Sequence, residues 1–89
     1  MSVFYVYILE TTAKNGKTTF YTGYTNNLLR RIKEHKSGQG AKYCRGKEKI
    51  ELRYFETYMD RSAAMKREME IKSFSKARKK ELTKKMSKN

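Results

Sequence analysis

Residues 3–10 read VFYVYILE, a β-branched and aromatic run with apolar side chains at both odd and even positions. Such a run predicts a strand covered on both faces. Strand side chains alternate, so Tyr5, Tyr7 and Leu9 share one face. Asn15-Gly16 is a hairpin signal, and Thr18 to Thr25 is then the returning strand, with Tyr21 and Gly23 on one face. The period then lengthens. Leu28, Leu29 and Ile32 are spaced as the apolar stripe of a helix, which Asn26 or Thr25 would cap. Gly38 stands where a helix end favours a left-handed residue.

Gly38 to Lys49 mixes glycines with basic residues and has no periodicity, so it reads as a loop. Ile50 to Met59 alternates again and predicts a third strand. Ile50, Leu52, Tyr54 and Tyr58 would lie on one side of it, and Phe55 and Met59 on the other. Asp60 suits the cap of a helix from Arg61 to Phe74, and Ser75 the cap of a last helix from Lys76 to about Met86. The order β-β-α-β-α-α predicts an α+β (mixed α/β) fold, a small three-stranded β-sheet flanked by helices. Residues 1–89 are expected to form one domain, with a core over about 3–75 and a basic C-terminal helix and tail over 76–89.

Composition narrows the function. A chain of 89 residues has room for one modest core. Cys44 is the sole cysteine, which excludes an internal disulfide framework and suggests a reducing, cytoplasmic setting. The apolar run at Val3–Leu9 falls far short of the roughly 18 residues that span a membrane. No basic segment precedes it, so no signal peptide is expected. The net charge of +13 implies a polyanionic partner. Nucleic acid is the first candidate and an anionic membrane surface the second; charge alone does not choose between DNA and RNA.

Two places along the chain invite chemistry. Arg31 and His35 are i, i+4 neighbours on the first helix and project from one face. They would lie over the strand–helix corner at Gly23, where helical amides favour an anion; as a solvated basic face they would need no function. On the second helix Glu68 sits among Ala64, Met65 and Ile71. A carboxylate inside an apolar arc needs a partner. Lys72, one turn on, would supply an ion pair, and a metal ion would serve instead. Glu70 points the opposite way, toward solvent. His35 and Cys44 alone cannot form a zinc site.

The order of these residues adds to their type. Tyr5-Val6-Tyr7, a hairpin, Tyr21-Thr22-Gly23, Arg31 eight residues past the glycine, and Glu68 on a later helix resemble the GIY-YIG nuclease domain. Small stand-alone members are the best match. They share the Glu34-His35 pair, the G-x-G-A-K-Y segment at Gly38–Tyr43 and the D-R-S-A-A run at Asp60–Ala64. The family includes homing endonucleases, an excision-repair nuclease and branched-DNA junction nucleases.

The resemblance implies a metal-dependent DNA endonuclease, acting in repair or recombination. It makes Tyr7 the tyrosine of the first motif and Tyr21 that of the second. Arg31 is then the catalytic arginine, Glu68 the carboxylate for Mg²⁺ (or Mn²⁺), and His35 a further catalytic residue. A hard divalent cation suits one carboxylate completed by water and phosphate oxygens, and acts as a Lewis acid. The Arg31 fork matches phosphate oxygens, and Tyr7 would take the proton of the attacking water, with Tyr21 or His35 as alternatives. Arg30, Lys42, Arg45, Lys47, Lys72, Lys79 and Lys80 would contact the nucleic acid backbone. Tyr5, Val6 and Thr22 replace the first glycine and both isoleucines of the family's two tripeptides. The alternative is a non-catalytic module on the same scaffold that binds DNA or RNA.

Overall fold

A computed structural model of the chain describes residues 2–38 and 46–86. The described residues form strands β1 (Phe4–Thr12) and β2 (Thr18–Thr25), helix α1 (Leu28–Lys36), strand β3 (Lys49–Tyr58) and helices α2 (Arg61–Lys72) and α3 (Lys76–Met86). The fold is α+β, in the order expected. Among the described residues no helix is long and apolar enough to cross a membrane.

The sheet runs β2-β1-β3, antiparallel throughout. β1 is central, which explains its apolar residues on both parities. Val6, Ile8 and Leu9 are fully buried, and Tyr7 is nearly so. Each such side chain contributes roughly 1.5–3 kcal/mol by leaving water. Val6 and Ile8 pack with Ala64 and Ile71 of α2 and Leu82 of α3. Tyr7 and Leu9 point the other way, onto Leu28 and Ile32 of α1, with Tyr21 and Ile50 beside them. The sheet is thus a wall between two compartments, α1 on one side and α2–α3 on the other.

The third strand departs from simple alternation. Leu9 pairs with Leu52, but Ile8 pairs with Tyr54, so Arg53 is an extra residue in β3. A bulge of this kind reverses the faces beyond it. Ile50, Leu52 and Phe55 therefore face α1, while Tyr54 and Tyr58 face α2 and α3. The single-face grouping of Ile50, Leu52, Tyr54 and Tyr58 is corrected accordingly. Arg53 itself turns to acids, donating to Glu10 at 2.8 Å and Glu51 at 2.6 Å.

The caps follow side-chain chemistry. Asn27, rather than Asn26 or Thr25, accepts from the Arg30 amide at 3.1 Å, and the Thr25 hydroxyl supports it by accepting from the Asn27 amide at 3.1 Å. α1 ends at Lys36 with Ser37 as its C-cap, and Gly38 follows with a left-handed φ of +83°. Asp60 and Ser75 cap α2 and α3 by accepting from Ala63 and Arg78, each at 3.2 Å. α2 stops at Lys72, one half-turn before Phe74. Leu29 is not core: it is 75% exposed.

Candidate active site

The strand–helix corner gathers four of the five expected catalytic residues. Tyr7 comes from the centre of β1, Tyr21 from β2, and Arg31 and His35 from successive turns of α1. Tyr7 and Tyr21 share a face because Tyr7 pairs with Gly23 and Leu9 with Tyr21. The Tyr7 hydroxyl and His35 Nε2 lie 2.9 Å apart. The rings of Tyr21 and His35 meet edge to face at 5.3 Å, and those of Tyr7 and Tyr21 lie tilted by 45° at 6.4 Å.

Charge is organised around the pair. Arg31 donates to Glu34 at 2.9 Å and also adjoins the Tyr7 hydroxyl; both raise its pKa further. Glu34 also accepts from Arg30 at 3.3 Å, and the two guanidiniums, Arg31 foremost, hold its carboxyl below the usual range. Burial, aided by the positive Arg31, lowers the His35 pKa, so the imidazole is neutral at pH 7.

The corner has an inner and an outer layer. Tyr7 and His35 are each 1% exposed, whereas Tyr21 and Arg31 are half-buried. Tyr7 is thus enclosed, while Tyr21 keeps part of its surface exposed. Gly23 has a packing role. A Cβ there would stand 2.5 Å from the Tyr7 oxygen and 2.7 Å from Cζ. The missing side chain makes room for the Tyr7 phenol.

Glu68 is elsewhere. It lies on α2 between Ala64 and Ile71, the residues that cover the Val6–Ile8 face. Its side chain is 14% exposed, with Lys72 Nζ at 3.4 Å from Oε2, the i, i+4 pair that the spacing allowed. Helix α2, which carries it, packs on the sheet face opposite the one that α1 covers. Among the described residues no three His, Cys, Asp or Glu side chains converge as a metal site. One shielded carboxylate still fits a cation that keeps most of its water, as Mg²⁺ does.

The basic residues divide in the same way. Arg30 is exposed on α1, and Lys47 is half-buried near its end. Lys72, Lys79 and Lys80 belong to α2 and α3, across the sheet. Burial, followed by the charge of Lys72, lowers the pKa of Lys79. Lys42, Arg45 and Cys44 lie outside the described residues.

Sequence reading missed a second ionic centre. Glu56 of β3 accepts two bonds from Arg67 at 2.9 Å each, one from Tyr58 at 2.5 Å and one from Tyr54. Glu70, expected to be plain solvent exposure, accepts from Arg67 at 2.6 Å. Burial opposes ionisation of Glu56, but these donors, Arg67 first, pull its pKa down to about 2. Burial, then the bond to Glu56, pushes Tyr54 and Tyr58 up to about 12. The bulge at Arg53 decides which way Glu56 points, so no local signal marked it. Glu34 was legible, by contrast, since it stands three and four residues from the two arginines it bridges.

Known proteins resemble this chain over most of its length. A sequence model described as the GIY-YIG catalytic domain matches residues 3–81. A UPF0213 protein of Natronomonas pharaonis is 50% identical over 78 residues, covering 88% of this chain and 87% of that protein. One from Staphylococcus haemolyticus is 43% identical over 79 residues, covering 89% and 92%. The solution NMR structure of the UPF0213 protein BH0048 from Bacillus halodurans has a TM-score of 0.54 and 43% identity, over 92% of this chain and 83% of that one. With its ordered tyrosines, arginine and glutamate, and a domain match over nearly its whole length, the chain belongs to the GIY-YIG family of nuclease domains.

Proposed function

We propose that the chain is a metal-dependent endonuclease that hydrolyses phosphodiester bonds in DNA. Tyr21 and Arg31 would face the scissile phosphate, and Tyr7 and His35 would hold them from behind. The observation that carries this reading is the Tyr7 hydroxyl, set beside both His35 Nε2 and the Arg31 guanidinium. A fixed cation at the mouth of a dry corner stabilises developing phosphoryl charge far better than a solvated one.

The division of labour follows from burial. Arg31 presents a planar fork to phosphate oxygens, and Glu34 and Tyr7 fix its direction. Tyr21, half-buried, would orient the attacking water and accept its proton, with Tyr7 or His35 as alternatives. His35, kept neutral, accepts from Tyr7 at Nε2 and so aims the Tyr7 oxygen at Arg31. Glu68 would hold the divalent cation, Mg²⁺ or Mn²⁺, with water and phosphate completing its shell. When bound, the cation supplies Lewis acidity and neutralises charge on the leaving oxygen. β2 is an edge strand, so a phosphodiester running along it meets the α1 face and the α2 face together. Arg30 and Lys47 would then flank the strand on one side, and Lys72, Lys79 and Lys80 on the other.

One observation favours the alternative, a nucleic-acid-binding module without turnover: Glu68 is already paired with Lys72. A nicking assay decides. Duplex, single-stranded, flap and branched DNA are incubated with protein in Mg²⁺, Mn²⁺ or EDTA. The nuclease reading expects metal-dependent cleavage that is lost in Glu68→Ala and Arg31→Ala while binding survives. Binding without cleavage under every metal would establish the alternative.

A further inference from the structure

Beside the corner lies a surface that the chemistry above does not use. Tyr5, Leu29, Leu52 and Phe55 wall an open groove of about 570 Å³, and Asn26 and Asn27 close one end of it. The Tyr5 and Phe55 rings meet edge to face at 6.0 Å and 66°. Leu29, 75% exposed, forms an uncovered apolar rim. The same two asparagines line a polar hollow of about 220 Å³ with Arg30, Arg31 and Glu34. An aromatic groove and a guanidinium-lined hollow are therefore continuous across the start of α1.

Charge chooses among occupants. Two copies of a chain at +13 repel each other, while an anionic strand is drawn in. Nucleic acid alternates flat apolar bases with phosphates, and this surface alternates the matching features. A base inside a duplex is stacked on both faces and cannot enter a groove; an unpaired or displaced base can. The Arg30–Glu34 pair is a surface pair of small net value, which a phosphate can displace.

Resting on the nuclease reading above, we infer that this groove holds an unpaired nucleobase next to the phosphate gripped by Arg30 and Arg31. The chain then selects nucleic acid that has single-stranded nucleotides at the site of action. The inner walls stack the base, and the amides of Asn26 and Asn27 mark the boundary between base and backbone.

The test is fluorescence anisotropy in EDTA at fixed salt, with three probes: a blunt hairpin duplex, the same hairpin with a short unpaired tail, and the tailed hairpin with abasic sugars in the tail. We expect the tail to tighten binding about tenfold and the abasic tail to lose that gain. Leu29→Gln and Tyr5→Leu should bring the tailed probe to the affinity of the blunt one and leave the blunt one unchanged. Leu29 is exposed, so Leu29→Gln keeps the test valid if Tyr5→Leu unfolds. Equal affinity for all three probes overturns the inference, as does an equal loss on all probes in the variants. A dimer in sedimentation that Leu29→Gln dissolves would also overturn it, by assigning the groove to a second copy. If the probes bind alike and metal-dependent nicking persists, only the groove inference falls; if no probe binds, the nuclease reading falls with it.

Discussion

The Tyr7 hydroxyl and His35 Nε2 are 2.9 Å apart in a contact from which water is excluded, although 28 residues separate them along the chain. The bond joins the central strand to the last turn of α1 and sets the tyrosine oxygen beside Arg31. Tyr7→Phe keeps the ring and deletes the bond. We expect a stability loss of about 1 kcal/mol in urea unfolding. Nicking should fall roughly a hundredfold, because Arg31 loses its aim, while DNA affinity in EDTA stays within about twofold. Unchanged nicking would remove Tyr7 from the machinery.

Gly23→Ala places a methyl 2.5 Å from the Tyr7 oxygen and 2.7 Å from Cζ. The phenol ring is packed on all sides, so it cannot swing away freely. We expect a loss of about 1–3 kcal/mol in stability, with activity falling as it does in Tyr7→Phe. Gly23→Ala combined with Tyr7→Leu should lose less than the sum of the two single changes, a coupling that a double-mutant cycle reads directly.

His35 is the only histidine in the chain, so its ring signals in a proton NMR titration are unambiguous. Burial and Arg31 lower its pKa below the ordinary 6.5. The unfolded chain then binds more protons than the folded one as pH drops below 6.5. The stability this group contributes is therefore present above pH 6.5 and lost as pH falls through the folded value. The titration should show a midpoint below 6.5, and nicking should weaken over the same interval. A midpoint above 6.5 would contradict the buried, neutral imidazole.

Thr22 occupies a position where relatives carry isoleucine by the resemblance described, and it is 2% exposed on β2. Its Oγ1 is buried without a hydrogen-bond partner. Thr22→Val replaces the hydroxyl with a methyl of similar size. We expect a gain of about 1 kcal/mol in urea unfolding, since a buried hydroxyl loses its water without compensation. A loss would mean that the hydroxyl has a partner in solution.

Glu56, whose pKa is held down to about 2 by Arg67, Tyr54 and Tyr58, is an acid latch between β3 and α2. Its folded pKa lies below the ordinary 4.5, so its contribution is present above pH 4.5 and is lost as pH falls toward 2. The shift corresponds to a contribution on the order of 3 kcal/mol. Glu56→Gln should flatten the dependence of unfolding free energy on pH between about 4.5 and 2 and lower stability at pH 7. Arg67→Met, which leaves the carboxylate without its main donor, should cost at least as much at pH 7.

The sequence by itself determined the element order, the second strand to the residue and the caps at Asp60 and Ser75, because hydrophobic period and capping chemistry are local. It also determined that Arg31 and His35 share a helix face, since that follows from fixed side-chain spacing; that Tyr7 and Tyr21 share a sheet face came from the register of β1 with β2. Tertiary structure alone decided the rest. The extra residue at Arg53 reversed the faces of β3, a matter of register with β1 that no single strand encodes. Packing of Tyr7 against β2 decided that the space beside Gly23 is filled by the Tyr7 phenol. α1 and α2 cover opposite faces of β1, and which face a helix covers depends on contacts distant along the chain.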